Sequence, residues 1–190
     1  MNKSPLLKIN RKQVERGLLT DVLPRILEKV SSSPVVLLVD VSNTFSLYVK
    51  EHPRTRRFIE HYISSRESMG SACDPALRRF LLDQLDHFPH LTPADGVQIR
   101  EAAKAKKILW VFIMQGSIEN QTQLVTAYTF PRKPCIVVHV ACVNKEGTDC
   151  FRTGDHKNPM DDYTLMFLNR RLQTQGISSF LITMDRFTDW

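Results

Sequence analysis

The sequence is poor in several features that would settle its class at once. Seven glycines among 190 residues, beside ten prolines, exclude a collagen-like repeat and a low-complexity chain. Its four cysteines, Cys73, Cys135, Cys142 and Cys150, include no Cys-x-x-Cys pair. That excludes a small disulfide-stapled scaffold and gives no support for a zinc knuckle or a thioredoxin-type motif. The expectation is thiols in a reducing compartment. No apolar run approaches the roughly 20 residues needed to cross a bilayer, the longest being 108–114. No secretory apolar segment opens the chain either. Lys3, Lys8, Arg11 and Lys12 resemble the start of a mitochondrial presequence, but Glu15 and Asp21 follow soon after. The reading is a soluble intracellular protein, cytoplasmic or nuclear rather than mitochondrial, with no membrane partner.

What is present is globular. Hydrophobic residues make up 42% and charged residues 24%, enough for one domain with a substantial core. The 26 Lys and Arg against 20 Asp and Glu leave a net charge of +6. That excess leans toward an anionic partner such as nucleic acid.

Short apolar, β-branched runs at 34–40, 108–114, 135–143 and 178–183 read as parallel strands covered on both faces. The segments between them supply the covering helices. An amphipathic stretch at 6–30 is kinked or split by Pro24. Asp74-Pro75 and Thr92-Pro93 open helices at 76–87 and 93–107, and a helix over 162–173 stops at Gly176. The fold class is α/β: a three-layer, Rossmann-like parallel sheet forming a single domain over 1–190. It has a helical lead-in at 1–33 and a helical insertion at about 50–105.

Ligands of open parallel sheets bind beyond the carboxyl ends of the strands, so the residues at those ends matter most. The first strand ends at Asp40, and the last leads through Thr183 into Asp185 and Asp189. At about 100° per residue, Asp161 heads the stripe of Leu165, Leu168 and Leu172 that faces the sheet, and Asp162 lies one step round. An acid at a helix start is ordinarily a cap, and one after a strand is ordinarily a turn residue. Their convergence is harder to explain that way. Two carboxylates about 4 Å apart repel by about 4 kcal/mol at an effective dielectric near ~20, so protons or a cation must relieve a cluster. With oxygen donors only, the cation is Mg²⁺ or Mn²⁺.

Asp40-x-x-Asn43, Asp161-Asp162 and Thr183-x-Asp185-x-x-x-Asp189, in this order and on these elements, resemble the PIN-like ribonucleases, specifically the Regnase-type NYN domains. The likeness covers chiefly 34–48 and 155–190. It implies a PIN-like fold and Mg²⁺- or Mn²⁺-dependent, endonucleolytic hydrolysis of single-stranded RNA. By matching position it implies Asp40, Asp162, Asp185 and Asp189 as metal ligands, with Asp161 as helper or alternative ligand, all five carboxylates being catalytic. Asn43 and Thr183 would orient the substrate, Asn43 also Asp40. The gap between Asp40 and Asp161 marks 50–105 as an insertion relative to that family.

Basic residues complete the expectation. Arg54, Arg56 and Arg57 follow the first strand, Lys157 precedes the acidic helix, and Arg186 follows Asp185; each is a candidate RNA phosphate contact. Phe45 and Tyr48 could stack on a base, though their helical spacing places them in the core. The helical extensions offer surface for a homodimer or a protein partner.

Other functional classes fit less of the pattern. A catalytically inactive PIN-like module that binds RNA or assembles a complex has no need for so many acids. A von Willebrand A-type adhesion module would use Asp40-x-Ser42-x-Thr44 but gives no role to Asp161-Asp162. A haloacid-dehalogenase phosphatase lacks its second Asp after Asp40.

Overall fold

Strand β1 (Val35–Asp40) is buried along its whole length, as its unbroken apolar run requires. In the computed structural model, which describes residues 5–51, 75–116, 124–141 and 160–187, it sits inside a five-stranded sheet. Its companions are β2 (Ile108–Gly116), β3 (Val125–Thr129), β4 (Cys135–Ala141) and β5 (Ser178–Ile182), in the order β3-β4-β2-β1-β5. β1 pairs in parallel with β2 and β5, and β2 pairs in parallel with β4. The four expected strands are all present. β3 was not foreseen: it pairs antiparallel with β4 at the sheet's edge, its run being short and mixed in burial.

Alternate residues of each central strand face opposite layers, as the pleat dictates. Val36, Leu38, Leu109, Val111 and Val138 pack with Val14, Leu18, Leu165, Leu168 and Leu172 on one side. Val35, Leu37, Trp110, Phe112 and Val137 pack with Leu77, Leu81, Phe88 and Ile99 on the other. The result is a three-layer α/β sandwich.

The first layer holds α1 (Pro5–Gly17), α2 (Leu23–Val30) and α6 (Met160–Thr174). The break expected at Pro24 begins earlier, as a π-helical turn over Leu18–Val22, and Pro24 falls in the first turn of α2 where its missing N–H costs nothing. The second layer holds α3 (Val41–Glu51), α4 (Pro75–Asp83), a 3₁₀ turn (Leu85–His87) and α5 (Pro93–Lys104). The Thr92 hydroxyl accepts from the Asp95 N–H at 3.2 Å and the Asp95 carboxylate accepts from the Thr92 N–H at 2.7 Å, a reciprocal cap that fixes where α5 starts. Phe45 is buried in this layer and Tyr48 meets Phe80 edge-on, ring centroids 4.9 Å apart, so both serve packing.

α6 stops two residues before Gly176, whose φ of +75° suits glycine. Its stripe of Asp161, Leu165, Leu168 and Leu172 is buried against the sheet. Leu168→Ala should therefore cost about 2–5 kcal/mol in denaturant unfolding, since its cavity opens at the centre of a packed layer. A smaller cost would mean that α6 is loosely docked.

Among the described residues, no helix is long and apolar enough to cross a membrane. Cys135 is disulfide-bonded, contrary to the expectation of thiols, so the cysteines no longer argue for a reducing compartment.

Candidate functional site

Counted among the parallel strands alone, the order is third, second, first, fourth. The chain leaves β1 toward β2 on one side, whereas the last strand returns to the other side of β1. Connections therefore diverge between β1 and β5, and a crevice opens beyond their carboxyl ends. A cavity of about 540 Å³ lies there, lined by Asp40, Asp161, Asp162 and Asp185 together with Asn43, Lys50, Gln115 and others.

Asp40 ends β1 and is almost wholly buried, 3% exposed. One carboxylate oxygen accepts the Asn43 N–H at 3.1 Å, and the other accepts the Thr183 hydroxyl at 2.8 Å. Thr183 in turn accepts the Asp185 N–H at 3.1 Å. Thr183 is itself fully buried, and its two bonds orient Asp40 and the turn after β5. The Asn43 side-chain oxygen accepts the Met184 N–H at 2.8 Å, tying α3 to the end of β5. The Asp185 carboxylate accepts the Phe187 N–H at 2.9 Å, and its backbone carbonyl lies 2.7 Å from a ring nitrogen of His90. These bonds fix two of the acids from opposite sides of the crevice.

Asp161 and Asp162 arrive from α6. Asp161 is buried and accepts from the Gln115 amide at 2.5 Å and from the Asp162 N–H at 3.0 Å. Asp162 is half-buried and opens toward the cavity.

The electrostatics follow from this crowding. Burial, then the charge of Asp161, pushes Asp40 up from 3.8 to about 6, against the opposing bonds from Asn43 and Thr183. Burial, then the charges of Asp161, Asp40 and Asp185, pushes Asp162 up to about 7. Asp161 is also raised, by burial foremost, although the Gln115 bond opposes the change. Such displaced carboxyls mark a place where protons or a cation are wanted.

Among the described residues, no three His, Cys, Asp or Glu side chains stand close enough together to hold a metal ion. The carboxylates share a crevice, and two of them are also held by hydrogen bonds with Thr183, Asn43 and Gln115. Asp189, Arg54, Arg56, Arg57 and Lys157 lie outside the described residues, and Arg186 is exposed on the loop after β5.

Two lining residues escaped the sequence reading. Gln115 is the polar residue that ends the apolar run of β2, so the rule that found Asp40 also finds it. Lys50 follows Asn43 and Leu47 at helical spacing on α3, and all three line the crevice.

No protein-family model, curated protein or solved structure matches this chain.

Proposed function

We propose that this protein is a metal-dependent ribonuclease of PIN-like fold that hydrolyses phosphodiester bonds in single-stranded RNA. The observation that carries the reading is the four-carboxylate crevice at the divergence of β1 and β5. Its donors are all hard oxygens, which suit Mg²⁺ or Mn²⁺, and Mg²⁺ needs only one or two carboxylates when water and substrate phosphate complete its shell. The spread of the acids is compatible with that mode, and Asp40, Asp162 and Asp185 are the side chains that would hold the ion. Such an ion supplies an activated water and a polarised phosphoryl oxygen.

The remaining work belongs to the chain's own groups. In the metal-free protein Asp162 is half-buried and pushed to about 7, so near neutral pH a bound cation would displace its proton and take the carboxylate as a ligand. Lys50, exposed at the crevice wall, is placed to accompany a phosphate that enters beside the acids. Thr183 and Asn43 hold the Asp40 carboxylate still, which removes the need to reorganise it during reaction.

The second reading is a PIN-like module that binds RNA, or assembles a complex, without cleaving it. The lack of any three grouped ligands among the described residues favours that reading. One assay separates the two. Purified protein with Mn²⁺ should shorten a labelled single-stranded RNA, EDTA should stop it, and Asp185→Asn should lower the rate about a hundredfold or more. RNA that is bound but never shortened, with or without Mn²⁺, establishes the non-cleaving module instead.

A further inference from the structure

At the opposite edge of the sheet, the amino ends of β1, β2 and β4 surround a cavity of about 260 Å³. Lys29, Arg132 and Lys133 bring three cations to its wall, Ser32 and Ser33 add hydroxyls, and Leu109 forms part of its lining. Among the described residues, no acid lines it. The volume falls below the roughly 300–1,000 Å³ of pockets that enclose whole organic ligands, and it suits a small anionic group.

Ordinary surface chemistry accounts for one of these cations. Lys29 sits in the last turn of α2, where a positive charge is favoured by the helix carbonyls, and its ammonium donates to the Lys133 carbonyl at 3.4 Å. Arg132 is different. The Lys133 N–H bonds back to the Phe130 carbonyl at 3.2 Å, closing a turn with Pro131 at its second position and Arg132 at its third. Arg132 has a φ of +65°, the left-handed conformation that this turn assigns to glycine or asparagine. A long cation held where glycine would be unstrained calls for a use, and Arg132 lines this cavity.

We infer that this cavity is a phosphate-binding site, formed by Lys29, Arg132 and Lys133 with the serine hydroxyls, at the sheet edge remote from the acidic crevice. β1 separates the two by six residues, about 20 Å along the strand. One phosphate cannot touch both. The ligand is a phosphate group, borne either by a nucleic-acid strand or by a small free anion.

Arginine in the glycine conformation makes the test selective. Arg132→Gly removes the charge while relieving the backbone, so melting temperature should hold or rise. In EDTA, single-stranded RNA binding is followed by fluorescence anisotropy across a salt series, and inorganic phosphate is titrated by NMR. For a strand contact, Arg132→Gly and Lys29→Gln should each weaken RNA binding about tenfold. Each should also flatten the logarithmic salt dependence by about 0.7. For a small free anion, the same variants weaken inorganic phosphate and leave RNA binding unchanged. If both ligands bind the variants as tightly as the parent protein, the site does not exist. With metal absent throughout, the outcome is independent of whether the acidic crevice cleaves RNA.

Discussion

Asp40→Asn should sharply reduce RNA cleavage and, in the metal-free protein at pH 8, make the fold more stable. Both effects have the same origin. Asp40 is 3% exposed, and burial with the Asp161 charge raises it from 3.8 to about 6. Above that pH the folded protein carries a buried negative charge that the unfolded chain holds more comfortably in water. The displacement corresponds to about 3 kcal/mol. Asparagine removes the charge while keeping an oxygen for the Asn43 N–H and an amide that can donate to the Thr183 oxygen. Allowing for imperfect amide geometry, the gain should be about 1–3 kcal/mol, or about 2–4 °C of melting temperature per kcal/mol for a chain of this size.

Cleavage should fall by about a hundredfold to a thousandfold, because an amide is a poorer ligand for Mg²⁺ or Mn²⁺ than a carboxylate. A residue retained for packing would show the reverse pattern, with lost stability and retained cleavage. That pattern would sink the assignment of Asp40 to the reactive crevice. Denaturant unfolding and RNA cleavage on the same preparations decide between them.

Much of the frame was legible because burial writes itself into composition. A strand covered on both faces must be apolar throughout, which is why 35–40 and 108–114 announce themselves without an alignment. Asp161 could be placed by angle because it shares a stripe with Leu165, Leu168 and Leu172. β3 escaped because an edge strand is covered on fewer sides, so Val125, Thr126 and Tyr128 carry no continuous run. The way the carboxylates are held escaped for a different reason. Sequence position brings Asp40 and Asp161 to the same crevice, but their orientation depends on partners contributed by β2 and the turn after β5. Gln115 holds Asp161 and Thr183 holds Asp40, across 46 and 143 residues of chain. Neither pairing leaves a local signature.

The pH profile of the metal-free protein is the second large effect expected, and its direction is unusual for carboxylates. Asp and Glu residues that gain partners on folding have depressed pKa values, so proteins commonly lose stability as acid is added. Here Asp40, Asp161 and Asp162 are all raised. The folded state takes up their protons at higher pH than the unfolded chain does, so stability should increase as pH falls from about 8 through 7 and 6. The gain should be complete near 3.8, where the unfolded carboxylates also protonate. Because the three shifts share mutual repulsion, and Asp162 is only half-buried, the combined gain should exceed the about 3 kcal/mol of Asp40 alone but fall short of the three contributions added together. The Asp40→Asn, Asp162→Asn double variant isolates the carboxylate contribution, because it should flatten only that part of the profile. Mn²⁺ should reverse the trend. At pH 8 a hundredfold excess over its dissociation constant should stabilise the fold by about 2.7 kcal/mol, whereas near pH 5 protons occupy the same oxygens and the increment should shrink. Thermal melts at pH 5, 6.5 and 8, each in EDTA and in Mn²⁺, test both halves. A metal-free protein that weakens steadily from pH 8 to pH 5, or one that gains equally from Mn²⁺ at both ends, would show that these carboxylates do not share their charge.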